Sequence, residues 1–156
     1  FNLTKLTCEG VALINRDKVT KSDWSNNSEF QSMKGNLTIN GNQFTNNNLT
    51  AAMSGLALLG KGVIDAETLN INYGIDLKAI GELGDNACRV NEKVKDLAIP
   101  ILCAGSLNDD PAQLCKLDYN RMQDLVAAAG KKELENLSLL VKRCDSTSTI
   151  QKIIVE

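Results

Sequence analysis

The sequence predicts an α+β domain: an antiparallel or mixed β-sheet of five or more strands, with helices on one side and at the C-terminal end. Two patterns carry this expectation. Leu69, Ile71, Tyr73, Ile75 and Leu77 fall at every second position, the period of a long half-buried strand. Late in the chain Leu134, Leu137, Val141 and Cys144 recur at three or four residues, with Leu140 widening the stripe, which is the period of an amphipathic helix. A chain of 156 residues fits one domain with a sizeable core, β-rich over 1–108 and helix-rich over 109–156.

Residues 1 to 80 read as β throughout. Alternation begins at Phe1 and Leu3 and changes phase near Leu6 and Cys8, as a bulge would cause. The polar stretch from Arg16 to Phe30 reads as a loop whose only large apolar anchor is Trp24. Leu37 and Ile39 share one face of a short strand, Asn40-Gly41 is turn-prone, and Phe44 begins the return strand. Leu49 to Leu59 has the alanines and leucines of a helix, but Gly55, Gly60 and Gly62 weaken that alternative.

Beyond Cys88, Asn91 to Leu97 reads as a short turn, and Ala98 to Cys103 as a second apolar strand. Asp110-Pro111 places an acid at a helix cap and proline at the first helical position. One helix is expected over Leu117–Ala129 and another after Gly130, with the tail from Thr149 a terminal strand or a frayed end.

Composition excludes several classes of function. Lysine plus arginine is 17 against 19 acids, a net charge of −2, and no basic tract is interleaved with aromatics, so nucleic acid is a poor partner. The apolar runs Leu56–Leu59 and Ala98–Cys103 are far short of a bilayer span. Starting at Phe1 inside a strand-like pattern, the chain reads as a processed product or a piece of something longer.

The five cysteines, 8, 88, 103, 115 and 144, form no CxxC pair, and histidine is absent. Zinc and a cysteine–histidine nucleophile are therefore disfavoured. An oxidising compartment with two bridges is expected, Cys144 being left over at the end of a helix-like segment. Cys103 with Cys115 closes a short loop, which stabilises by about 3 kcal/mol on the chain-entropy model. Cys8 with Cys88 is the complementary pair, one of three connectivities that four cysteines allow.

No catalytic constellation emerges, and neither a metal nor a cofactor is expected. Without histidine a general base must be a carboxylate, lysine or thiolate. Asp109 and Asp110 read as a turn and a helix cap. Asp65 and Glu67 read as a solvated strand face. Ser106 lacks a base and the nucleophile-elbow context. The glycines of Gly55–Val63 lack the strand–loop–helix setting of a phosphate cradle. Sequons begin at Asn2, Asn26, Asn36, Asn48 and Asn136, but 17 asparagines make chance occurrences expected. The alternating apolar face has two readings: ordinary core, or a curved sheet partly open to a long hydrophobic ligand such as an acyl chain.

The order of several motifs resembles the C-terminal region of the AsmA-like envelope proteins of gammaproteobacteria. They are L-x-C-E-G-V-A-L-I-N, S-M-K-G-N-L-T-I-N-G, N-N-L-T-A-A-M-S-G, G-K-G-V-I-D-A-E-T-L-N-I-N-Y-G-I-D-L, A-C-R-V-N and I-P-I-L-C-A-G-S-L-N-D-D-P-A-Q-L-C. The family's I-P-x-x-x-x-G signature falls on Ile99, Pro100 and Gly105, ahead of Asp110-Pro111 and the Leu117 to Val126 region. The resemblance spans nearly the whole chain.

It implies a non-enzymatic segment of an elongated β-groove in a bridge-like lipid-transfer protein. Such a protein is periplasmic, held to the inner membrane by an N-terminal anchor absent from this chain. Its implied role is phospholipid transfer and outer-membrane assembly or lipid homeostasis. The alternative is a structural or chaperone-like module that meets an envelope protein partner. On this resemblance Val63, Leu69, Ile71, Tyr73, Ile75 and Leu77 correspond to groove strands, Ile99 and Ile101 to the next strand, and Cys8, Cys88, Cys103 and Cys115 to cysteines of closer relatives. A periplasmic location agrees with disulfides and makes the sequons accidental. The chain is short for the family, so on its own it is expected to cap a groove or contact a membrane, not to transport lipid.

Overall fold

The computed structural model describes residues 1–155, with the side chains of all of these except Asp85 and 144–155. The chain opens with a helix where alternation predicts a strand: α1 spans Leu3–Asn15. Over thirteen residues the buried positions Leu3, Thr7, Gly10, Val11 and Ile14 follow the 3.6 period, which outweighs the two-point alternation of Phe1 and Leu3. Asn2 Oδ1 caps the helix by accepting from Lys5 N–H at 2.8 Å. The one polar member of the stripe, Thr7, donates to Leu3 O at 2.8 Å, so its burial leaves no unmet hydroxyl. Arg16 ends the helix in a left-handed conformation, φ 55°.

The loop that follows folds back onto the start of α1. Leu3 N–H donates to Ser28 Oγ at 2.9 Å, and Asn2 Nδ2 donates to Ser25 O at 2.9 Å. Trp24 is the expected anchor: half-buried against the core, it donates from Nε1 to Lys21 O at 2.8 Å.

Seven strands then build one sheet: β1 (Ser32–Lys34), β2 (Leu37–Asn40), β3 (Gln43–Met53), β4 (Leu56–Asp65), β5 (Asn70–Ala79), β6 (Ala98–Ser106) and β7 (Cys115–Leu117). Every pairing is antiparallel. Strands β3 to β7 form a meander, while β1 and β2 lie end to end along the outer edge of β3. The Leu49–Leu59 region is two strands joined at Ser54-Gly55, where Gly55 supplies φ 75°. Strand β7 has no sequence signature, because three residues are too few to show a period.

Helix α2 (Pro111–Leu114) begins as predicted, with Asp110 Oδ1 accepting from Ala112 N–H at 2.9 Å. The predicted pair of C-terminal helices is instead a single helix, α3 (Tyr119–Val155). Gly130 does not interrupt it; the cost of glycine in a helix, about 1 kcal/mol, is small beside continuous backbone hydrogen bonding. The helix starts at Tyr119, not Leu117, because Leu117 pairs with Ile101 as the last residue of β7. Arg121 Nη2 lies 2.8 Å from Asp76 Oδ1, a buried oxygen with no well-angled hydrogen bond. Leu134, Leu137, Leu140 and Val141, the predicted apolar stripe, are 55–68% exposed. The tail reading as a strand is also replaced, since the backbone stays helical to Val155.

The core lies between one half of the sheet and α1, with Leu83, Ala87 and Val94 of the 80–97 segment and Met122 and Ala129 of α3 completing it. Helix α1 comes unusually close at Gly10, where an added Cβ would stand 2.5 Å from Ile99 Cγ2 and 3.4 Å from Leu117 Cδ2. Cys8 is bridged to Cys88 and Cys103 to Cys115, the expected pairing. The first ties α1 to the 80–97 segment, so Cys8 anchors a helix and not a first strand. The second joins directly opposed residues of β6 and β7. The side chain of Cys144 lies outside the described residues.

Two stability predictions follow from these contacts. Cys8→Ala/Cys88→Ala, which opens an 80-residue separation, lowers stability more than Cys103→Ala/Cys115→Ala, which opens 12. The expected losses are about 4.5 and about 3 kcal/mol, read from urea unfolding midpoints. Gly10→Val forces α1 off Ile99 and lowers stability by about 1–3 kcal/mol in the same assay.

Candidate functional site: an apolar row open at one end of the sheet

Strand register assigns each side chain to a face, because directly paired residues point the same way. The apolar face is crossed by five rows: a short buried one of Met53, Leu56 and Ala79 at one end, then four longer ones. Met33, Ala51, Leu58, Leu77 and Ile99 form the first of these; Leu49, Gly60, Ile75, Ile101 and Leu117 the second. The third holds Leu37, Asn46, Gly62, Tyr73, Cys103 and Cys115, and the fourth Ile39, Phe44, Ile64, Ile71 and Gly105. The opposite face carries Thr38, Thr45, Lys61, Asn72, Asp76 and Lys78, and is largely polar.

The predicted groove residues divide along these rows. Leu77, Ile99, Ile101 and Ile75 are 0%, 1%, 0% and 7% exposed, so these four are core under α1. Ile71 and Tyr73 are half-buried at the other end. Val63 pairs with Asn72 and therefore lies on the opposite face, a correction to its groove assignment. Leu69 is not on the strand: it sits in the β4–β5 turn with φ 56°. The physical reason is shared, since the turn 66–69 breaks the count by two from β5 back into β4.

Residues outside the predicted groove set complete the open end of this apolar face. Ile64 and Phe44 stand beside Ile71, and Ile39 and Leu37 continue the rows with 61% and 58% exposure. Leu37, Ile39 and Phe44 were recognisable as strand residues, but only the register brings them to Ile71.

Tyr73 marks the boundary between covered and open halves. Its ring lies across the glycines of β4: a Cβ at Gly60 would be 2.8 Å from Tyr73 Cε1, and one at Gly62 2.6 Å from Tyr73 Cδ2. Gly60 and Gly62, which in sequence lack the setting of a phosphate cradle, are thus a seat for an aromatic ring. The phenol donates to Asn46 Oδ1 at 2.7 Å. Asn46 is held by a bulge, where β3 advances three residues from Asn46 to Leu49 while β4 advances two. Its Oδ1 also accepts from Leu49 N–H at 3.0 Å, and its Nδ2 donates to Asn36 O at 2.7 Å. Burial pushes the Tyr73 phenol above its ordinary pKa.

The turns at this end are acidic. Asp65 Oδ1 accepts from Thr68 and Glu67 N–H groups, and Thr68 above all holds its carboxyl below the usual carboxylate value. Glu67 therefore lies in a turn, not on the strand face expected for it. Glu67 Oε2 accepts from Asn42 Nδ2 at 2.7 Å, joining the β2–β3 and β4–β5 turns. Asp109 Oδ2 accepts from Ser106 N–H at 3.2 Å and borders the row at Gly105, where an added Cβ would lie 3.5 Å from it. These carboxylates are engaged by neutral donors.

Among the described residues no cluster of His, Cys, Asp or Glu is arranged to hold a metal ion. No helix among them is long and apolar enough to cross a membrane. A cavity of about 690 Å³ lies at the opposite end of the sheet, lined by Lys78, Ile80, Leu83, Val90, Lys95 and Asp96 among others, and touches none of the predicted groove residues. Comparison with protein-family models, curated proteins and solved structures finds no match to this chain.

Because the unfolded phenol ionises first, the stabilisation held by Tyr73 is complete below about pH 10 and is lost as pH rises through the higher folded-state value. Tyr73→Phe should remove that part of the alkaline loss and, at neutral pH, cost about 0.5–1.5 kcal/mol for the bond to Asn46. Urea midpoints taken from neutral to alkaline pH measure both effects.

Proposed function

We propose that this chain is a non-enzymatic segment of a β-groove of the AsmA-like kind, and that its open row receives the acyl chain of a phospholipid. The observation that supports this reading is the division of one continuous apolar face. Helix α1 covers the rows of Leu77 and Ile75, whereas Phe44, Ile64 and Ile71 are left half-covered and lead to exposed Leu37 and Ile39. An acyl chain laid along this row gains about 0.8 kcal/mol for each buried methylene. The side chains of the row, Ile39, Phe44, Ile64 and Ile71, are hydrocarbon, so it suits passage of a chain better than turnover.

In this reading the protein acts in the periplasm, attached to the inner membrane by an anchor outside this chain, in support of lipid transfer and outer-membrane assembly. The curvature and length of a full groove belong to the longer protein. A second reading, an interaction module for outer-membrane protein assembly, draws on the exposed leucines of α3. In that case substitutions at Leu134 and Leu137 would impair function while the row tolerates change.

A paired substitution separates groove from core. Ile75→Asp places a charge in the covered half and should unfold the domain or lower its stability by several kcal/mol, on the order of the cost of burying an unpaired charge. Ile71→Asp should lower the unfolding midpoint far less than Ile75→Asp and abolish phospholipid retention, followed by native mass spectrometry after incubation with phosphatidylethanolamine. A wild-type protein that retains no phospholipid sinks the proposal.

A further inference from the structure

The face of the sheet that turns away from α1 carries a one-sided charge. An antiparallel sheet commonly leaves one face to water, so polar side chains there are ordinary. The sign of the charge is not. Strand register sets Lys34 of β1, Lys61 of β4, Lys78 of β5 and Lys116 of β7 on this face, against two acids, Asp65 and Asp76. Both acids are engaged: Asp76 lies 2.8 Å from Arg121 Nη2, and Asp65 accepts from the N–H groups of its own turn. Asp118, bonded through its N–H to Pro100 O at the margin, accepts from Arg121 N–H at 3.3 Å. Lys78 is paired with Asp96 at 4.0 Å. Lys34, Lys61 and Lys116 form no ion pair among the described residues, in a chain whose net charge is −2.

These three lysines stand among exposed aliphatic side chains. Lys34 shares a row with Thr50 and Leu59, and Lys61 shares the next with Gly74, Leu102 and Lys116. Leu59 is 60% exposed and Leu102 38%. Every side chain that the register places on this face is exposed or half-buried except Pro100, and none is aromatic. Lys34 and Lys116 lie at opposite edges of the sheet, five strand spacings or about 24 Å apart, so no single small anion meets all three lysines. With no aromatic ring, the face offers nothing on which a nucleic-acid base could stack. An extended anionic surface with an apolar layer beneath it complements both the lysines and the leucines.

We infer that this face rests on a bilayer surface bearing anionic phospholipid headgroups. Lys34, Lys61 and Lys116 meet phosphate oxygens, while Leu59 and Leu102 enter the boundary between headgroups and acyl chains. An acidic polypeptide would attract the same lysines; the leucines between them favour the bilayer. The inference goes beyond the acyl-row reading and does not rest on it, because Ile64 and Ile71 lie on the opposite face.

The test is flotation of the protein with vesicles of phosphatidylcholine alone, or of phosphatidylcholine and phosphatidylglycerol in equal parts. Binding to the anionic vesicles should be at least about tenfold tighter and should weaken as salt is added. The combined Lys34→Gln, Lys61→Gln and Lys116→Gln should remove that preference, and Leu59→Ser should weaken anionic binding about threefold. Unchanged unfolding midpoints verify that both variants are folded. The combined Lys131→Gln, Lys132→Gln and Lys142→Gln removes the same charge from α3 and should leave vesicle binding as it is. A comparable loss in that variant would overturn the proposal, as would equal binding to the two kinds of vesicle. Tighter binding to soluble polyglutamate than to the anionic vesicles would overturn it too, assigning the face to an acidic protein.

Discussion

The arrangement depends on how closely one helix can approach the sheet. Gly10 lets α1 settle against Ile99 and Leu117, and that contact decides which part of a uniformly apolar face becomes core. Burial of Leu3, Val11 and Ile14 stabilises the docked helix by about 1.5–3 kcal/mol for each side chain. The 80–97 segment is held to the same helix by Cys8–Cys88 and by Asn91 Nδ2 donating to Asn15 Oδ1 at 3.1 Å. A helix of thirteen residues covers only part of a sheet whose central strands run to ten or eleven. The uncovered remainder is therefore a consequence of length as much as of sequence.

Where the helix stops, Tyr73 takes over. Its ring covers two glycines that leave the floor bare, and its hydroxyl is satisfied by an asparagine that a bulge turns inward. One side chain thus closes the packed half with an aromatic surface and meets the open half with a polar edge. Beyond it the face is apolar in the middle and acidic at its turns.

Much of this was legible in the sequence, and the errors have definite causes. The alternation from Ile71 to Leu77, the proline-started α2 and the disulfide pairing hold, because each rests on local chemistry or on few combinations. Helix α1 was hidden because its stripe includes Thr7, polar until its hydroxyl finds Leu3 O, and Gly10, which in isolation reads as a breaker. Val63 was assigned to the wrong face because a turn intervenes between it and Ile71, and parity does not survive a turn of unknown length. Ile64 was missed for the same reason. The division between core and open row is a tertiary fact: Ile75 and Ile71 are alike in sequence and differ only in what lies above them.

The bulge between Asn46 and Leu49 has a consequence for how the chain tolerates change. On β3 the inward positions are even-numbered before it, Phe44 and Asn46, and odd-numbered after it, Leu49, Ala51 and Met53. The extra residue works as a phase shifter between two halves of one strand. Loss of a single asparagine from 47–48 would leave two residues of β3 against two of β4, a regular ladder that keeps Leu37, Ile39 and Phe44 on the apolar side but removes the bulge whose hydrogen bonds join Asn46 to Leu49 and Asn48 to Asn36. The length of this asparagine run therefore decides whether the bulge exists, and the identity of Asn46 and Asn48 decides which hydrogen bonds hold it.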